Sequence, residues 1–150
     1  MSDRDETAKP QRPAIPQDMK AFNRDLIEEW RANDGQLSGR MAGRNLILLT
    51  TIGVRSGEPR TVVLGFGRHG DSIVAIASNN GAPSDPAWYH NLLGRPTATV
   101  ELGPDRFEVR WRTARPEERS ELAKTVPYLE SQQQLTEREI PIVVLERTAT

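Results

Sequence analysis

The chain contains no cysteine, and only His69 and His90 represent histidine among its 150 residues. Without thiols there is no disulfide, no thiolate metal site and no cysteine nucleophile. Two imidazoles do not make a multi-histidine metal centre, so no metal is expected. Lysine is scarce as well: the 20 basic residues divide into 17 arginines and three lysines. No run approaches the roughly 20 apolar residues of a membrane span. The first 17 residues, MSDRDETAKPQRPAIPQ, carry charges and three prolines where a signal peptide would need an apolar stretch. A net charge of −1 makes no overall case for nucleic acid or an anionic membrane surface. These absences point to a cytoplasmic protein with a flexible arm over 1–17 and one domain over 18–150. Peripheral membrane contact stays open, as does the choice between monomer and homodimer.

What is abundant is arginine, whose planar fork suits two-point contacts with phosphate or carboxylate. The element pattern around it is mainly β. Residues 18–33 predict a helix capped by Asp18, with Met19, Phe22, Leu26 and Trp30 at helical spacing. Residues 45–51 and 61–67 predict strands on either side of a tight turn, RSGEPR, and RHGD (68–71) predicts a second turn. SIVAIAS (72–78) is nearly all apolar and predicts a central strand. DPAWYHNLLG predicts a short helix with Asp85 as cap, Pro86 at the first helical position and Gly94 near the exit. TATVEL and RFEVRWRTA predict a hairpin around GPD. Residues 115–136 read as helical with a break at Pro127, and IPIVVLER as a last strand. About six strands that mostly succeed one another directly, with three flanking helices, favour antiparallel pairing in a barrel or sandwich.

Two stretches carry polar groups in places that suit a ligand. In TTIGVRSGEPR (50–60), Arg55 and Arg60 flank Ser56 and Gly57, so fork donors, a hydroxyl and backbone N–H groups lie within one turn. The plainer reading is an exposed hairpin turn with solvated charges. In ASNNGAPSDPAWYHNLLGRP (77–96), a buried strand runs into Ser78 and Asn79, and Trp88, Tyr89, His90 and Asn91 follow on one helical turn. The plainer reading has Asn79 and Asn80 as turn residues and Trp88 and Leu92 as a buried helix face. No Ser-His-Asp set and no paired carboxylates support hydrolysis.

Taken together, the two stretches resemble the deazaflavin-dependent nitroreductase family, whose members use coenzyme F420. The resemblance covers residues 45 to 102 and resumes at TEREIPIVVLER. It implies a split β-barrel, FMN-binding-like, and an enzyme that passes a hydride from reduced F420 to a quinone, a nitro compound or another conjugated acceptor. The cofactor carries a phosphodiester and a polyglutamate tail. The resemblance assigns that anionic part to Arg55, Ser56 and Arg60, and counts Val54 among the cofactor contacts. It lines the cofactor with Thr61, Val62, Val63 and Gly65, and frames its ring with Ile76, Ala77, Ser78, Asn79, Ala87, Trp88, Tyr89, His90 and Asn91. Trp88 and Asn91 are its expected side-chain contacts. Ser78 is the expected catalytic hydroxyl, hydrogen-bonding the acceptor oxygen as charge builds there.

Family members cover the substrate pocket with spaced tyrosines. This chain reads VPYLESQQQLTEREIP there and keeps one, Tyr128, the expected substrate contact. The resemblance therefore implies an open, tolerant acceptor pocket. Readings from other classes are a non-catalytic cofactor or fatty-acid carrier on the same barrel, and an FMN-dependent reductase. Residues 1–17 lack any apolar period. A chain starting near Gln17 is expected to keep its thermal midpoint and cofactor affinity; a large drop in either would show that the arm packs on the body.

Overall fold

The computed structural model describes residues 19–148. Its most buried strand is β1 (Leu46–Ile52), in which Leu46, Ile47, Leu48 and Leu49 run consecutively buried. A strand covered on both faces needs two partners. Ile47 and Leu49 point into a core shared with Ile73, Ala75, Val100, Val109, Val143 and Leu145. Leu46 and Leu48 point outward onto Trp30 of α1 (Met19–Ala32). Leu26 and Trp30 form the buried stripe of that helix, while Phe22 is 38% exposed and outside it. Arg31, also on α1, ties the helix to the barrel: its Nε and Nη2 donate to Glu101 Oε1 at 3.1 Å and Oε2 at 2.7 Å. Arg106 Nη1 meets the same carboxylate at 3.2 Å.

The other strands are β2 (Pro59–Gly65), β3 (Gly67–His69), β4 (Ser72–Ile76), β5 (Thr97–Leu102), β6 (Asp105–Thr113) and β7 (Ile142–Arg147). They make one sheet in the order β2-β1-β5-β6-β7-β4-β3, antiparallel throughout. Its two edge strands, β2 and β3, are separated in the chain by Phe66 alone. Two peptide steps span at most about 7 Å, whereas six inter-strand gaps in a flat sheet would put the edges roughly 29 Å apart. The sheet must therefore curl until its edges meet. The barrel is closed by the covalent chain at Phe66 rather than by a ladder, which is the split β-barrel that the resemblance implies.

Three further helices flank the barrel: α2 (Ala87–Leu93), α3 (Arg119–Ala123) and α4 (Leu129–Gln133). A second core gathers Leu122, Val126 and Leu129 from the α3–α4 region against Val74, Ile76, Ile142 and Val144. The segment between α3 and α4 crosses the β2–β3 junction so closely that side chains are excluded there. A Cβ on Gly67 would stand 2.1 Å from the Thr125 carbonyl oxygen, and one on Gly65 would stand 2.7 Å from Tyr128 Oη.

Several expectations are corrected. Seven strands replace about six, because Gly67–His69, expected partly as turn, pairs with β4. Four α-helices replace three, because Pro127 has no N–H to continue a helix and the 115–136 stretch splits around it. Asp85 does not cap α2: Pro86 occupies that position, and the Asp85 carboxylate accepts from Arg138 Nη1 at 2.6 Å. The Asp18 cap and the arm over 1–17 lie outside the described residues. Among those described, no helix is long and apolar enough to cross a membrane, and no cluster of three His, Asp or Glu could hold a metal.

The crossing at Gly67 yields a test. Gly67→Ala should destabilise the fold by about 2–3 kcal/mol, because the clash is with backbone that must shift. Gly70→Ala, where an added Cβ meets nothing within 4 Å but φ is +62°, should cost about 1 kcal/mol. Urea unfolding of both variants checks the order, and equal costs would overturn the crossing's role.

Candidate functional site

The turn after β1 is built by its own backbone. Gly53 N–H donates to Glu58 O at 2.9 Å, and Gly57, at φ +72°, donates to Gly53 O at 2.9 Å. The Ser56 hydroxyl accepts from Glu58 N–H at 3.1 Å, so its oxygen serves the turn while its proton stays available. Arg55 and Arg60 are exposed, and no carboxylate among the described residues lies within ion-pair distance of either.

Beyond the turn, β2 is an edge strand. The ladder bonds Phe66 N–H to Asn45 O (3.2 Å) and Gly53 N–H to Glu58 O set the phase of its pairing with β1. Antiparallel residues alternate between bonding across the pair and pointing away. Leu64, Val62 and Arg60 therefore bond to β1, and the N–H and C=O groups of Thr61, Val63 and Gly65 face the open edge. The Val62 side chain packs on the barrel core, and Val63 packs on the opposite, α1-covered side. The Thr61 hydroxyl lies 2.7 Å from that of Thr50.

The second stretch starts where β4 ends at Ile76. Ala77 is buried, and its N–H donates to Pro141 O at 3.0 Å. Ser78 is half-buried, and Asn79 follows at φ +51° with its carboxamide donating to Ser84 O at 3.1 Å. This loop is held from outside by Arg138. Its Nη2 donates to Ala77 O at 3.1 Å and Ser78 O at 2.9 Å, its Nε to Ala82 O at 3.0 Å, and its Nη1 to Asp85.

On α2, Ala87 and His90 are exposed and Tyr89 is half-buried. Tyr89 meets Trp88 and Trp111 edge to face, with centroids 6.3 Å and 6.2 Å apart, and burial together with Asp85 pushes its phenol pKa up. Trp88 and Asn91 are each 7% exposed. Trp88 belongs to the barrel core. Asn91 uses both ends of its carboxamide inside the protein: Nδ2 donates to Thr51 Oγ1 at 3.1 Å, and Oδ1 accepts from Val54 N–H at 3.2 Å. Both residues are thus engaged inside the protein, and Asn91 stitches α2 to the arginine turn. Gly94, at the helix exit, packs against Val54 so closely that a Cβ there would stand 3.1 Å from Val54 Cγ1. Tyr128 is placed with its hydroxyl over Gly65, and burial raises its phenol pKa.

Val54 and α2 are therefore brought together, as are Gly65 and Tyr128. Two concavities of about 620 and 640 Å³ lie elsewhere: one against α3 and α4, lined by Ala123, Val126 and Leu129, and one at the far barrel mouth, lined by Ile73, Phe107 and Leu145. Neither is lined by a residue of 54–65 or 76–91. Sequence reasoning missed Thr51 and Arg138. Arg138 lay within the matched TEREIPIVVLER, but one arginine among 17 carries no signal of its own.

A family model described as F420H(2)-dependent quinone reductase matches residues 22–147. A Mycobacterium tuberculosis protein named F420H(2)-dependent quinone reductase is 33% identical over 127 residues, which is 79% of this chain and 85% of that one. A solved F420-H2 dependent reductase superposes with a TM-score of 0.62 at 31% identity, over 69% of this chain and 95% of its own. A structure described as a domain-swapped dimer gives 0.64 at 29% identity, over 82% and 93%. A Vibrio cholerae heme storage protein shares the fold at 14% identity and TM-score 0.54, over 83% and 89%.

The Asn91 stitch is testable. Asn91→Leu removes both carboxamide bonds and leaves the Val54 N–H without its acceptor, so stability should fall by about 1–3 kcal/mol. Denaturant unfolding measures it; an unchanged midpoint would mean the turn holds itself.

Proposed function

The chain belongs to the F420H2-dependent quinone reductase family, and we propose that Arg55 and Arg60 hold the anionic part of the cofactor at one end of the open β2 edge. The protein is an oxidoreductase that passes a hydride from F420H2 to a quinone. When bound, the reduced deazaflavin supplies the hydride, and the chain's task is to bind, orient and shield. The observation that carries the site assignment is the pairing of two exposed arginines with a strand edge whose backbone groups at Thr61, Val63 and Gly65 face outward, both without partners among the described residues.

The fit is chemical. A phosphodiester and a glutamate tail need fork donors, and Arg55 and Arg60 have theirs uncommitted. A flat ring can lie along the open backbone edge of β2, near the Tyr128 hydroxyl that covers Gly65. Ser78 lies at the mouth of β4, where its hydroxyl can donate to an acceptor oxygen as hydride arrives. Tyr128, against Gly65, borders the acceptor side and keeps its phenolic proton well above neutral pH. With a single tyrosine in 126–134, the acceptor pocket is open, which supports nitro and other conjugated compounds as further acceptors. The domain-swapped relative supports a homodimer for this chain. The proposed place of work is the cytoplasm.

Each charge-assisted contact is worth about 1.5–3 kcal/mol, so Arg60→Ala and Arg55→Ala should each weaken F420 binding about tenfold or more. Fluorescence titration with F420, run beside its riboflavin-like headgroup lacking the anionic tail, reads this directly. The headgroup should bind parent and variants alike. If both alanine variants bind F420 as the parent does, the anion site lies elsewhere.

A further inference from the structure

We propose that Arg138 is a positioning residue for hydride transfer: its guanidinium sets the direction of the peptides at 77–79 and so presents Ser78 to the acceptor. The proposal rests on the quinone-reductase reading and goes beyond it in assigning a role to a residue outside both motif stretches.

The Arg138 side chain is 18% exposed, and its fork is fully engaged with one loop. Three donors go to backbone carbonyls, those of Ala77, Ser78 and Ala82, and one to the Asp85 carboxylate. An arginine whose donors are taken by carbonyls is not binding a ligand. It is bracing a chain, and Asp85 compensates its charge. The backbone of Arg138 is fixed in turn by Gln133, whose Nε2 donates to Arg138 O at 2.6 Å and whose Oε1 accepts from Ile140 N–H at 3.0 Å. The brace therefore reaches from α4 to the site loop.

The loop needs bracing. Asn79 sits at φ +51°, a left-handed conformation that asparagine adopts with local hydrogen bonding, here its carboxamide to Ser84 O, and few backbone bonds hold the loop. Its own backbone bonds are two, Gly81 N–H to Ser78 O and Ala82 N–H to Asn79 O. In a trans peptide the C=O and the following N–H point opposite ways. With the carbonyls of Ala77 and Ser78 turned onto Arg138, the N–H groups of Ser78 and Asn79 face the other side. No described residue accepts from either. The guanidinium thus decides which side of the loop carries carbonyls and which carries donors. Negative charge builds on a quinone oxygen as hydride arrives, and donors fixed beforehand lower the barrier. Lysine cannot substitute: a compact ammonium does not reproduce a planar fork spanning four acceptors.

Arg138→Lys and Arg138→Ala in the full chain test this. In the absence of any ligand, hydrogen exchange followed by mass spectrometry should show amides of 77–82 exchanging about tenfold faster in Arg138→Lys, with β1 and β7 unchanged. With F420H2 and menadione, kcat should fall about a hundredfold, while F420 affinity, set at Arg55 and Arg60, moves less than about threefold. Millimolar guanidinium, but not sodium chloride, should restore part of the kcat of Arg138→Ala. Parent-level kcat in Arg138→Lys would overturn the proposal. So would a parallel loss of thermal midpoint, exchange protection throughout the barrel and F420 affinity, which marks a general structural role. An absence of turnover in the unsubstituted protein would count instead against the quinone-reductase reading, and the exchange arm would still decide whether Arg138 holds the loop.

Discussion

Phe66 joins the two edges of the sheet, and most of the architecture follows from that single residue. Because β2 and β3 are adjacent in the chain and opposite in the sheet, the strands between them must curl into a barrel. Curling encloses Ile47, Leu49, Val100, Val109 and Leu145, which supply the hydrophobic driving force. Yet the closure is covalent, so among the described residues the β2 edge has no ladder partner along Thr61, Val63 and Gly65. A fully hydrogen-bonded barrel would have no such edge. The opening proposed to receive the cofactor is a by-product of how the barrel is shut.

Arginine chemistry divides along the same line. Arg31 and Arg106 converge on Glu101 and fasten α1. Arg112 pairs with Glu118, and this guanidinium, with the Arg115 backbone N–H, brings that carboxyl down to about 2. Arg138 braces the 77–85 loop. Each of these has its donors committed to groups of the protein itself. Arg55 and Arg60 contrast with all of them, since the described residues offer them no carboxylate. Unfilled donors on a turn of otherwise satisfied backbone are the arrangement an anionic ligand requires.

The fold was legible in the sequence where patterns are local. The continuous apolar runs of β1, β4 and β7, the GPD hairpin and the break at Pro127 all follow from residue periodicity and turn chemistry. Gly67–His69 was not legible as a strand, because three residues with one buried position have no period; their pairing with β4 is imposed by closure. Asp85 before Pro86 had the form of a helix cap, but a buried guanidinium 53 residues away offered its carboxylate a stronger partner. Phe22 had helical spacing and yet is exposed, outside the cluster that Ile27 and Trp30 form with Leu46 and Leu48. At the site, the arginine turn and the residues of 76–91 were legible as motifs. The division of labour among them was not. Whether Trp88 and Asn91 touch a ligand or support one depends on burial, and burial is decided by β1 and the 53–58 turn, far away in sequence.

The two motif stretches belong to different parts of the chain, and two long-range hydrogen-bonded residues make them rigid. Asn91 joins α2 to Thr51 and Val54, and Arg138 joins the 77–85 loop to the segment after α4. Both engage backbone groups, so what they hold is chain direction rather than a single side chain. A hydride passes only between atoms close to contact and correctly aligned, and small misplacements cost rate steeply. The barrel core fixes the strands and Trp88, but the 53–58 turn and the 78–85 loop lie beyond the strand ends. Part of the stiffness needed for transfer is therefore built in polar contacts placed where the hydrophobic core does not reach.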